Sequence, residues 1–513
     1  MNFRLVINLI SYLIVLEGVS IAFSAGVSSI MKDPLRDTLM LLACGILAVL
    51  SGLAGVIFTR KQKDATPGFR EGFAVVTFGW LLISIFGAIP FVAVTRLQWY
   101  DALFETISGF TTTGASVIDN KLKLWDGTTL SNGIESLSYG ILFWRSLTHW
   151  IGGMGIVVFS LAILPVLGIG GQTLYNAEVP GVKTRSDQFT PRIASTAKIL
   201  CLVYLGLTLL ETLLLFFGGM TLFDAVCHSF ATISTGGFST KNTSIAYFTA
   251  TTKSYYIELV ITIFMFLAGC NIILHFQALT GMPLKDYLNE EFRTFALILL
   301  GATLIIGTYL YFSQITDSIN KTAYHHNATG SFMAALFQSV SIATTTGFAS
   351  ANYADWPVAA GTIIFILMLM GGCGGSTSGG IKCMRIILLC KFSLSELRRN
   401  IFPHALQNIR LNGTRLESST INRVLGFLLI YMVTGLVFLL LLTLCSDMDL
   451  MTAISASVTC IGNVGPGFGK LAPDQSFSWM EPAAKLLLAV EMLIGRLELY
   501  TVLIFFLPSF WKR

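Results

Sequence analysis

The sequence has little charge and lacks the residue patterns of metal sites and hydrolytic centres. Charged residues make up 12% of the 513-residue chain, which is about half the fraction typical of a soluble domain. The nine cysteines lie mostly in apolar stretches and form no C-x-x-C pattern, so neither disulfides nor a metal cluster is predicted. No Ser/His/Asp set or paired-carboxylate spacing recurs near a common depth. The sequence therefore argues against an enzyme.

What the sequence has instead is long apolar runs. Hydrophobic residues make up 54% of the chain, and several runs of about 20 residues are apolar on all sides, which is typical of helices in lipid. The first run, after Arg4, is predicted to be a retained helix because it is long and a second helix follows closely. About 21 Lys and Arg residues fall on one side of the predicted spans and about nine on the other. The richer side, which includes both termini, is predicted to be cytoplasmic.

One glycine-containing pattern occurs four times, as TTTGAS, ISTGGFS, ATTTGFAS and GNVGPGFG. Its aligned glycines are Gly114, Gly236, Gly347 and Gly465, separated by 122, 111 and 118 residues. A single such patch is more often a turn or a helix break, but four copies at matching offsets indicate an internal repeat.

Each copy has the same surroundings. An apolar run of membrane length precedes it, at 74–94, 199–217, 295–312 and 424–444. A semi-apolar stretch of about 12 residues, too short to span a bilayer, comes next, and a second apolar run follows the loop. The stretches begin at predicted helix caps, Asp101, Asp224, Ser331 and Asp449. The order predicts an outer helix, a pore helix, a filter loop and an inner helix, four times around one pore.

Such loops have a physical use in cation conduction. Irregular backbone is tolerated at membrane depth where it lines an aqueous path, and its carbonyl oxygens replace the hydration shell of a cation. Four neutral loops without a carboxylate favour a monovalent, weakly hydrated ion, so potassium is predicted. The predicted potassium-binding residues are Thr112, Thr113, Gly114, Ser234, Thr235, Gly236, Thr345, Thr346, Gly347, Asn463, Val464 and Gly465.

Two further features are candidate gates. The segment GGCGGSTSGG interrupts the third inner helix, and its density of glycine and hydroxyl residues disfavours a continuous helix; a kinked helix or a flexible linker is the alternative. Arg496 lies in the apolar run 486–508, where a charge is costly unless it faces protein or water. It is either a positive barrier below the filter or an ion-pair partner of Glu491 or Glu498, and the two roles are compatible. The predicted gate residues are Gly371, Gly372, Gly374, Gly375, Ser376, Gly379, Gly380 and Arg496.

Other polar residues in the apolar runs are predicted to be structural. Glu105 and Gln338 both lie nine residues before a filter glycine and are expected to brace pore helices by hydrogen bonds. Arg145 and His149 are expected to be paired or to reach the interface with their polar ends. By contrast, His325 and His326 lie in a predicted outer loop and are expected to be solvated.

Together with the four loops, five motifs give the chain a family resemblance over nearly its whole length. They are FWRSLTHWIGGMGI (143–156), AEVPG (177–181), FTPRIASTAK (189–198), GGCGGSTSGGIK (371–382) and LIGRLE (493–498). The chain resembles the TrkH-like branch of the Trk/Ktr superfamily of potassium transporters. The resemblance implies a pseudo-tetrameric pore per chain, a homodimer, a TrkA-like soluble nucleotide-binding subunit on the cytoplasmic face, and a 371–380 loop that obstructs the pore below the filter.

The expected fold is an all-α membrane protein of ten full helices. Two extra N-terminal helices (1–68) precede pore repeats at 69–170, 190–280, 290–395 and 418–513. The expected function is potassium uptake across the bacterial inner membrane without an organic cofactor. The residues after the aligned glycines, Ala115, Gly237, Phe348 and Pro466, differ from the repeating filter of potassium channels, so modest selectivity is expected. A sodium- or proton-coupled secondary transporter is the alternative, although it would favour two inverted halves over four parallel repeats.

Overall fold

The computed structural model describes residues 1–59, 68–163, 189–252, 254–281, 283–403 and 409–512. These residues form an almost entirely helical protein, and the predicted all-α membrane fold is confirmed. Six helices are long and apolar enough to span a bilayer: Phe3–Ile30, Leu35–Phe58, Arg70–Thr95, Ala197–Phe217, Glu290–Phe312 and Ser418–Cys445. The first two are the predicted N-terminal pair, and the other four coincide with the predicted outer helices.

The N-terminal helices Phe3–Ile30 and Leu35–Phe58 pack against each other at glycines, Gly18 of the first helix and Gly45 of the second. A methyl carbon placed on Gly18 would lie 2.7 Å from the Val49 amide nitrogen, and one on Gly45 would lie 2.8 Å from the Ala22 amide nitrogen. Small residues allow the backbones of helices in lipid to approach this closely, and packing then holds the pair together.

Each outer helix is followed by a short apolar helix that ends at one of the glycine patterns. We number these helices by repeat. The outer helices 1 to 4 are Phe69–Thr95, Phe189–Phe217, Glu290–Phe312 and Ser418–Cys445, and the pore helices 1 to 4 are Trp99–Phe110, Leu222–Ile233, Ala328–Ala343 and Leu450–Gly462.

Only one of the four predicted helix caps is correct. Asp449 accepts a hydrogen bond from the Thr452 amide at the start of pore helix 4. Pore helices 2 and 3 begin earlier, at Thr221 and Asn327, whose side chains accept from the amides three residues on. Asp101 lies in the first turn of pore helix 1 and pairs with another helix instead. Asp224 and Ser331 are likewise inside their helices, because a neighbouring polar side chain occupies the cap position first.

The inner segments depart from the expectation of ten full helices. Inner helix 1, Tyr139–Ile163, is continuous. Inner segment 2 bends by 99° between Tyr256–Gly269 and Ile272–Leu279, and inner segment 3 is split into Val358–Met368 and Cys383–Ile401, as predicted. Inner helix 4, Pro482–Arg496, ends where the prediction had it continue. The break at Gly269 is stabilised by Asn271, which accepts from the Ile273 amide and starts the next helix.

The remaining elements are short. A two-stranded hairpin, Arg410–Leu411 with Thr414–Arg415, follows inner segment 3. The other helices are Gly133–Ser136, Ala246–Thr252, Leu284–Tyr287, Tyr353–Asp355, Gly469–Leu471, Tyr500–Leu503, Ile504–Phe506 and Pro508–Trp511. Residues 164–170 of the predicted first repeat lie outside the described part of the chain, and the predicted division into units stays a prediction.

Candidate functional site

The four loops after the pore helices, which we number 1 to 4 by repeat as filter loops, share one backbone pattern. A residue with a left-handed backbone is followed, two positions later, by a glycine with positive φ. The φ angles are 51° and 78° at Thr112 and Gly114, 55° and 81° at Thr235 and Gly237, 57° and 78° at Thr345 and Gly347, and 54° and 99° at Asn463 and Gly465. Glycine recurs at the second position because a residue with a Cβ disfavours this conformation.

This pattern corrects the alignment of the second loop by one residue. Gly237, not Gly236, is the counterpart of Gly114. Consequently Gly236, and not Thr235, is the counterpart of Thr113. The residues there are Thr113, Gly236, Thr346 and Val464, and those after the glycine are Ala115, Phe238, Phe348 and Pro466.

The loops meet in a closed ring. A methyl carbon added to one loop's glycine would collide with a carbonyl oxygen of the next. The distances would be 2.2 Å from Gly114 to the Gly236 oxygen, 2.0 Å from Gly237 to Thr346, 2.1 Å from Gly347 to Val464 and 2.5 Å from Gly465 to Thr113. Because the last contact returns to the first loop, the four backbones surround one axis.

Neutral oxygen atoms dominate this ring. The Thr113 hydroxyl is hydrogen-bonded to the Thr111 hydroxyl at 2.8 Å and accepts from the Asn463 amide group at 2.9 Å. A second hydroxyl pair, Thr344 with Thr346, is also 2.8 Å long. These contacts fix the side chains of Thr113 and Thr346, and the backbone carbonyls of both residues belong to the ring. The ring therefore presents oxygen dipoles without a formal charge. Such a site can coordinate a cation.

Polar side chains on the pore helices form hydrogen bonds to the segments that follow the ring glycines. Glu105 accepts from the Ser116 hydroxyl and the Val117 amide, each at 3.0 Å. Gln338 donates to the Ala351 carbonyl at 3.0 Å. Both predicted braces are present, and the corrected alignment adds a third that sequence reasoning missed. His228, nine residues before Gly237, is hydrogen-bonded to the Ser239 hydroxyl at 3.0 Å.

Inner helix 1 adds two buried groups next to the ring of the four loops. Arg145 forms an ion pair with Glu105 at 2.7 Å and donates to the Ser239 carbonyl at 2.9 Å. His149 contacts the Gly109 carbonyl through Nδ1 at 2.7 Å. The predicted pairing of Arg145 is therefore present. By contrast, His325 and His326 are exposed, as expected.

The segment between the two halves of inner segment 3, which we call the intramembrane loop (369–382), touches three of the four pore-helix ends. The Gly379 amide donates to the Thr345 hydroxyl at 2.7 Å, and the Thr377 hydroxyl donates to the Ile233 carbonyl at 3.0 Å. A methyl carbon on Gly379 would lie 2.6 Å from the Gly462 oxygen. The intramembrane loop therefore lies directly against the ring formed by the four loops.

The intramembrane loop is held by contacts at both of its ends. The Gly371 amide donates to the Ile381 carbonyl at 2.8 Å, so its two ends lie side by side. Glu291 of outer helix 3, a residue not identified from the sequence, accepts from the amides of Gly374 at 2.8 Å and Met384 at 3.0 Å. Within the loop, the Ser376 hydroxyl donates to the Cys373 carbonyl at 2.6 Å. The remaining predicted gate residues, Gly372, Gly375 and Gly380, also lie in this loop.

Arg496 is the last residue of inner helix 4 and contacts the intramembrane loop. Its Nη1 donates to the Thr377 carbonyl at 2.7 Å, and its side chain is buried. The predicted ion pair with Glu491 or Glu498 is absent, because Glu498 pairs with Arg385 at 2.7 Å and Glu491 accepts from the Ser457 hydroxyl at 2.6 Å. Within the described chain, the Arg496 Nε and Nη2 atoms have no hydrogen-bond acceptor.

Two predicted features lie partly or wholly outside what the structure describes. The AEVPG motif at 177–181 falls outside the described residues. The FTPRIASTAK motif forms the start of outer helix 2, where the backbone alone is described up to residue 196. Among the described residues, no group of three or more His, Cys, Asp or Glu side chains is arranged to hold a metal ion.

Comparisons with known proteins agree with this geometry. Residues 42–513 match the family model TrkH, described as a cation transport protein. The potassium uptake protein TrkH of Salmonella typhimurium is 38% identical over the full length of both chains, and that of Escherichia coli K12 is also 38% identical over both full lengths. The crystal structure of the potassium transporter TrkH from Vibrio parahaemolyticus matches with a TM-score of 0.86 and 34% identity, covering all of both chains. The chain belongs to the TrkH family of cation transport proteins.

Proposed function

We propose that this protein takes up potassium across the bacterial inner membrane through one selectivity filter per chain. The observation that carries the proposal is the closed ring of glycine-to-carbonyl contacts, which runs through all four loops of a single chain. In this proposal the predicted filter residues bind potassium, with Gly237 added as the fourth ring glycine.

Potassium is the ion that the chemistry of the ring supports. The filter residues carry no carboxylate, whereas pores for divalent cations use Asp or Glu rings. Backbone and hydroxyl oxygens suit a large, weakly hydrated monovalent ion. The full-length relatives are named for potassium uptake, which supports the same ion here.

The gate in this proposal is the intramembrane loop together with Arg496. The loop is hydrogen-bonded to Thr345 of filter loop 3 and lies against Gly462 at the end of pore helix 4. Arg496 adds a positive charge at the same place through its bond to Thr377. A cation leaving the filter on this side would meet both a steric and an electrostatic barrier.

The assembly in this proposal is a homodimer that binds a TrkA-like soluble nucleotide-binding subunit at its cytoplasmic face, where both termini lie. Its relatives' names place them in a Trk system. In this proposal the hairpin Arg410–Leu411 with Thr414–Arg415 lies on that face and connects a bound partner to the gate. The amide of Glu290 donates to the Asn412 side chain of the hairpin at 2.9 Å, and the next residue, Glu291, holds the intramembrane loop.

Expression in a bacterium that lacks potassium uptake systems tests the function, with and without a TrkA-like partner. We expect growth at low potassium and rubidium uptake that excess potassium inhibits far more than excess sodium. Equal inhibition by both ions would contradict a potassium filter. Uptake into proteoliposomes without any proton or sodium gradient separates a passive pathway from the coupled secondary transporter, which requires such a gradient.

A further inference from the structure

The second filter loop is unlike the other three at the level of its ring carbonyl. Its residue there is Gly236, whereas the other loops have Thr113, Thr346 and Val464. The Gly236 carbonyl oxygen is the atom that faces Gly114 in the ring. Because glycine has no Cβ, its backbone has more conformational freedom than that of any other residue unless surrounding atoms restrict it. This position therefore needs support from elsewhere in the protein.

His149 of inner helix 1 occupies the space of the missing side chain. A methyl carbon placed on Gly236 would lie 2.5 Å from both Cγ and Cδ2 of the imidazole ring. The ring is fully buried and stacks on Phe238, the residue two positions further along the same loop, with 4.0 Å between ring centroids. The imidazole thus lies against filter loop 2 at two points.

Hydrogen bonds at both ring nitrogens fix the orientation of this imidazole. The Gly109 carbonyl can only accept, so Nδ1 carries the proton of the 2.7 Å bond. The Phe238 amide can only donate, so Nε2 is the acceptor of the 3.2 Å bond. Gly109 belongs to pore helix 1 and Phe238 to filter loop 2, so the neutral ring bridges two neighbouring repeats.

Arg145, one turn earlier on inner helix 1, completes the support. Its guanidinium carbon lies 3.4 Å from the centre of the Phe238 ring, while its Nε pairs with Glu105 of pore helix 1 at 2.7 Å. Phe238 is therefore held by Arg145 as well as by His149. Inner helix 1 therefore supports filter loop 2 from outside the loop, in contrast with the hydroxyl pairs inside loops 1 and 3.

We propose that His149 is a positioning residue for ion selectivity, which substitutes for the absent side chain at Gly236 and sets the direction of the Gly236 carbonyl. This inference rests on the proposed function, because it assigns a determinant of the same filter. It requires His149 in its neutral form with the proton on Nδ1. Removing the ring frees Gly236 and leaves the buried Phe238 amide without an acceptor.

A size exchange between the two positions tests the proposal. We expect His149→Ala to lower the preference for rubidium over sodium about tenfold, equivalent to about 1.4 kcal/mol. Gly236→Thr alone should have a similar or larger effect, because its side chain would collide with the imidazole. The double variant H149A/G236T, which gives loop 2 the residue that loops 1 and 3 have, should recover much of the preference.

Uptake is measured per folded molecule, with competition by potassium and sodium, and the exposed His325→Ala variant is the matched control. If H149A does not fold, His149→Gln carries the test. It keeps an acceptor for the Phe238 amide but lacks the stacked ring, and it should still lose selectivity. An unchanged ion preference in a folded His149 variant would overturn this assignment while leaving the proposed function intact. A lack of potassium preference in the unmodified protein would instead contradict the proposed function.

Discussion

At the scale of single residues, the ring of the four loops requires glycines, which have no Cβ atom. Each ring glycine combines a positive φ with a neighbouring carbonyl oxygen less than 3 Å from where a Cβ would lie. Either property alone disfavours a larger residue, and the two together make substitution costly to the ring geometry. Sequence reasoning found three of these glycines.

The fourth ring glycine was misplaced because the second loop has two consecutive glycines. Aligning ISTGGFS on its first glycine keeps a threonine before the glycine, as in loops 1 and 3, and is therefore the natural choice from residue types. The backbone angles favour the second, Gly237. A sequence signal for the correct alignment existed in His228, because it lies nine residues before Gly237 as Glu105 lies nine before Gly114.

We predict that replacing Gly347 with Ala reduces discrimination between potassium and sodium at least about tenfold, equivalent to about 1.4 kcal/mol. The added methyl carbon would lie 2.1 Å from the Val464 oxygen and would force the carbonyl ring apart. Rubidium uptake in competition with each ion gives the ratio. Gly301→Ala on outer helix 3 is the control, since no atom lies within 4 Å of its added carbon. Equal ion ratios in the two variants would contradict the assigned ring.

Arg496 permits a second prediction at this scale. Arg496 pairs with neither Glu491 nor Glu498, so the ion-pair alternative is wrong. At an effective dielectric constant of about 20, a cation approaching to about 4 Å would be repelled by about 4 kcal/mol. We therefore expect Arg496→Ala to raise the maximal rubidium uptake rate, and Arg496→Lys, which keeps the charge, to restore part of the restriction.

Uptake has to be normalised to folded protein in the membrane. Arg385→Lys is a useful comparison, because Arg385 is a buried arginine of inner segment 3 that pairs with Glu498 and lies over Phe427. Its substitution should reduce the yield of folded protein more than it changes the rate per molecule. A rate at or below that of the unmodified protein in well-folded R496A would exclude the barrier role.

At the scale of elements, the outer helices were predictable and the breaks in the inner segments were only partly so. Outer helices are long and face lipid, so their composition alone marks them. The interruption in inner segment 3 was visible in its glycines. The only proline of inner helix 4 is its first residue, Pro482, and its only glycine lies near its end. The helix stops where Glu498 takes a left-handed backbone with φ of 55° and pairs with Arg385. That cause lies in another element and cannot be read locally.

The intramembrane loop leads to a prediction about a whole element. We expect deletion of residues 372–379 to raise cation flux, because it removes the segment that lies against the filter. The residues on either side of the deletion are close together, since a methyl carbon on Gly380 would lie 3.3 Å from the Gly371 amide nitrogen. Rubidium uptake per folded molecule checks it. A folded deletion variant that conducts no faster than the unmodified protein would contradict the obstruction.

Glu291 gives the same element a milder test. One carboxylate oxygen accepts from the amides of both Gly374 and Met384, so its loss would leave two buried donors without that partner. We predict that Glu291→Ala loosens the intramembrane loop and increases uptake in the absence of the soluble partner. Glu291→Gln, which keeps an amide oxygen as acceptor, should have a smaller effect. A lowered basal uptake in folded E291A would show that this carboxylate opens the pathway instead of holding the loop.

At the scale of the whole molecule, the fourth repeat has to contact the first for the four loops to form a ring. The sequence predicted the repeats and their order, but it carried no sign of which contacts join the fourth repeat to the first. The structure supplies several. The Asn463 side chain donates to Thr113, and the Phe477 amide donates to the Ser116 carbonyl at 2.9 Å. These residues are more than 300 positions apart, so no local pattern could pair them.

A further closing contact is an ion pair between Lys485 of inner helix 4 and Asp101 of pore helix 1. Its Nζ to Oδ1 distance is 2.6 Å, and both side chains are buried. Taking two charges out of water is costly, and their attraction offsets the cost only while both partners remain. Removing one partner leaves an uncompensated buried charge, which typically costs about 3–5 kcal/mol.

We therefore predict that Lys485→Met and Asp101→Asn each lower the apparent melting temperature of the purified protein, whereas the double variant is more stable than either single one. The double change removes both charges, so the coupling between the two positions should appear as strong non-additivity. Lys121→Met, at an exposed loop position, is the matched control and should leave the melting temperature nearly unchanged. If the two single effects simply add in the double variant, this pair does not act as the joint between the first and fourth repeats, and the other contacts must close the ring.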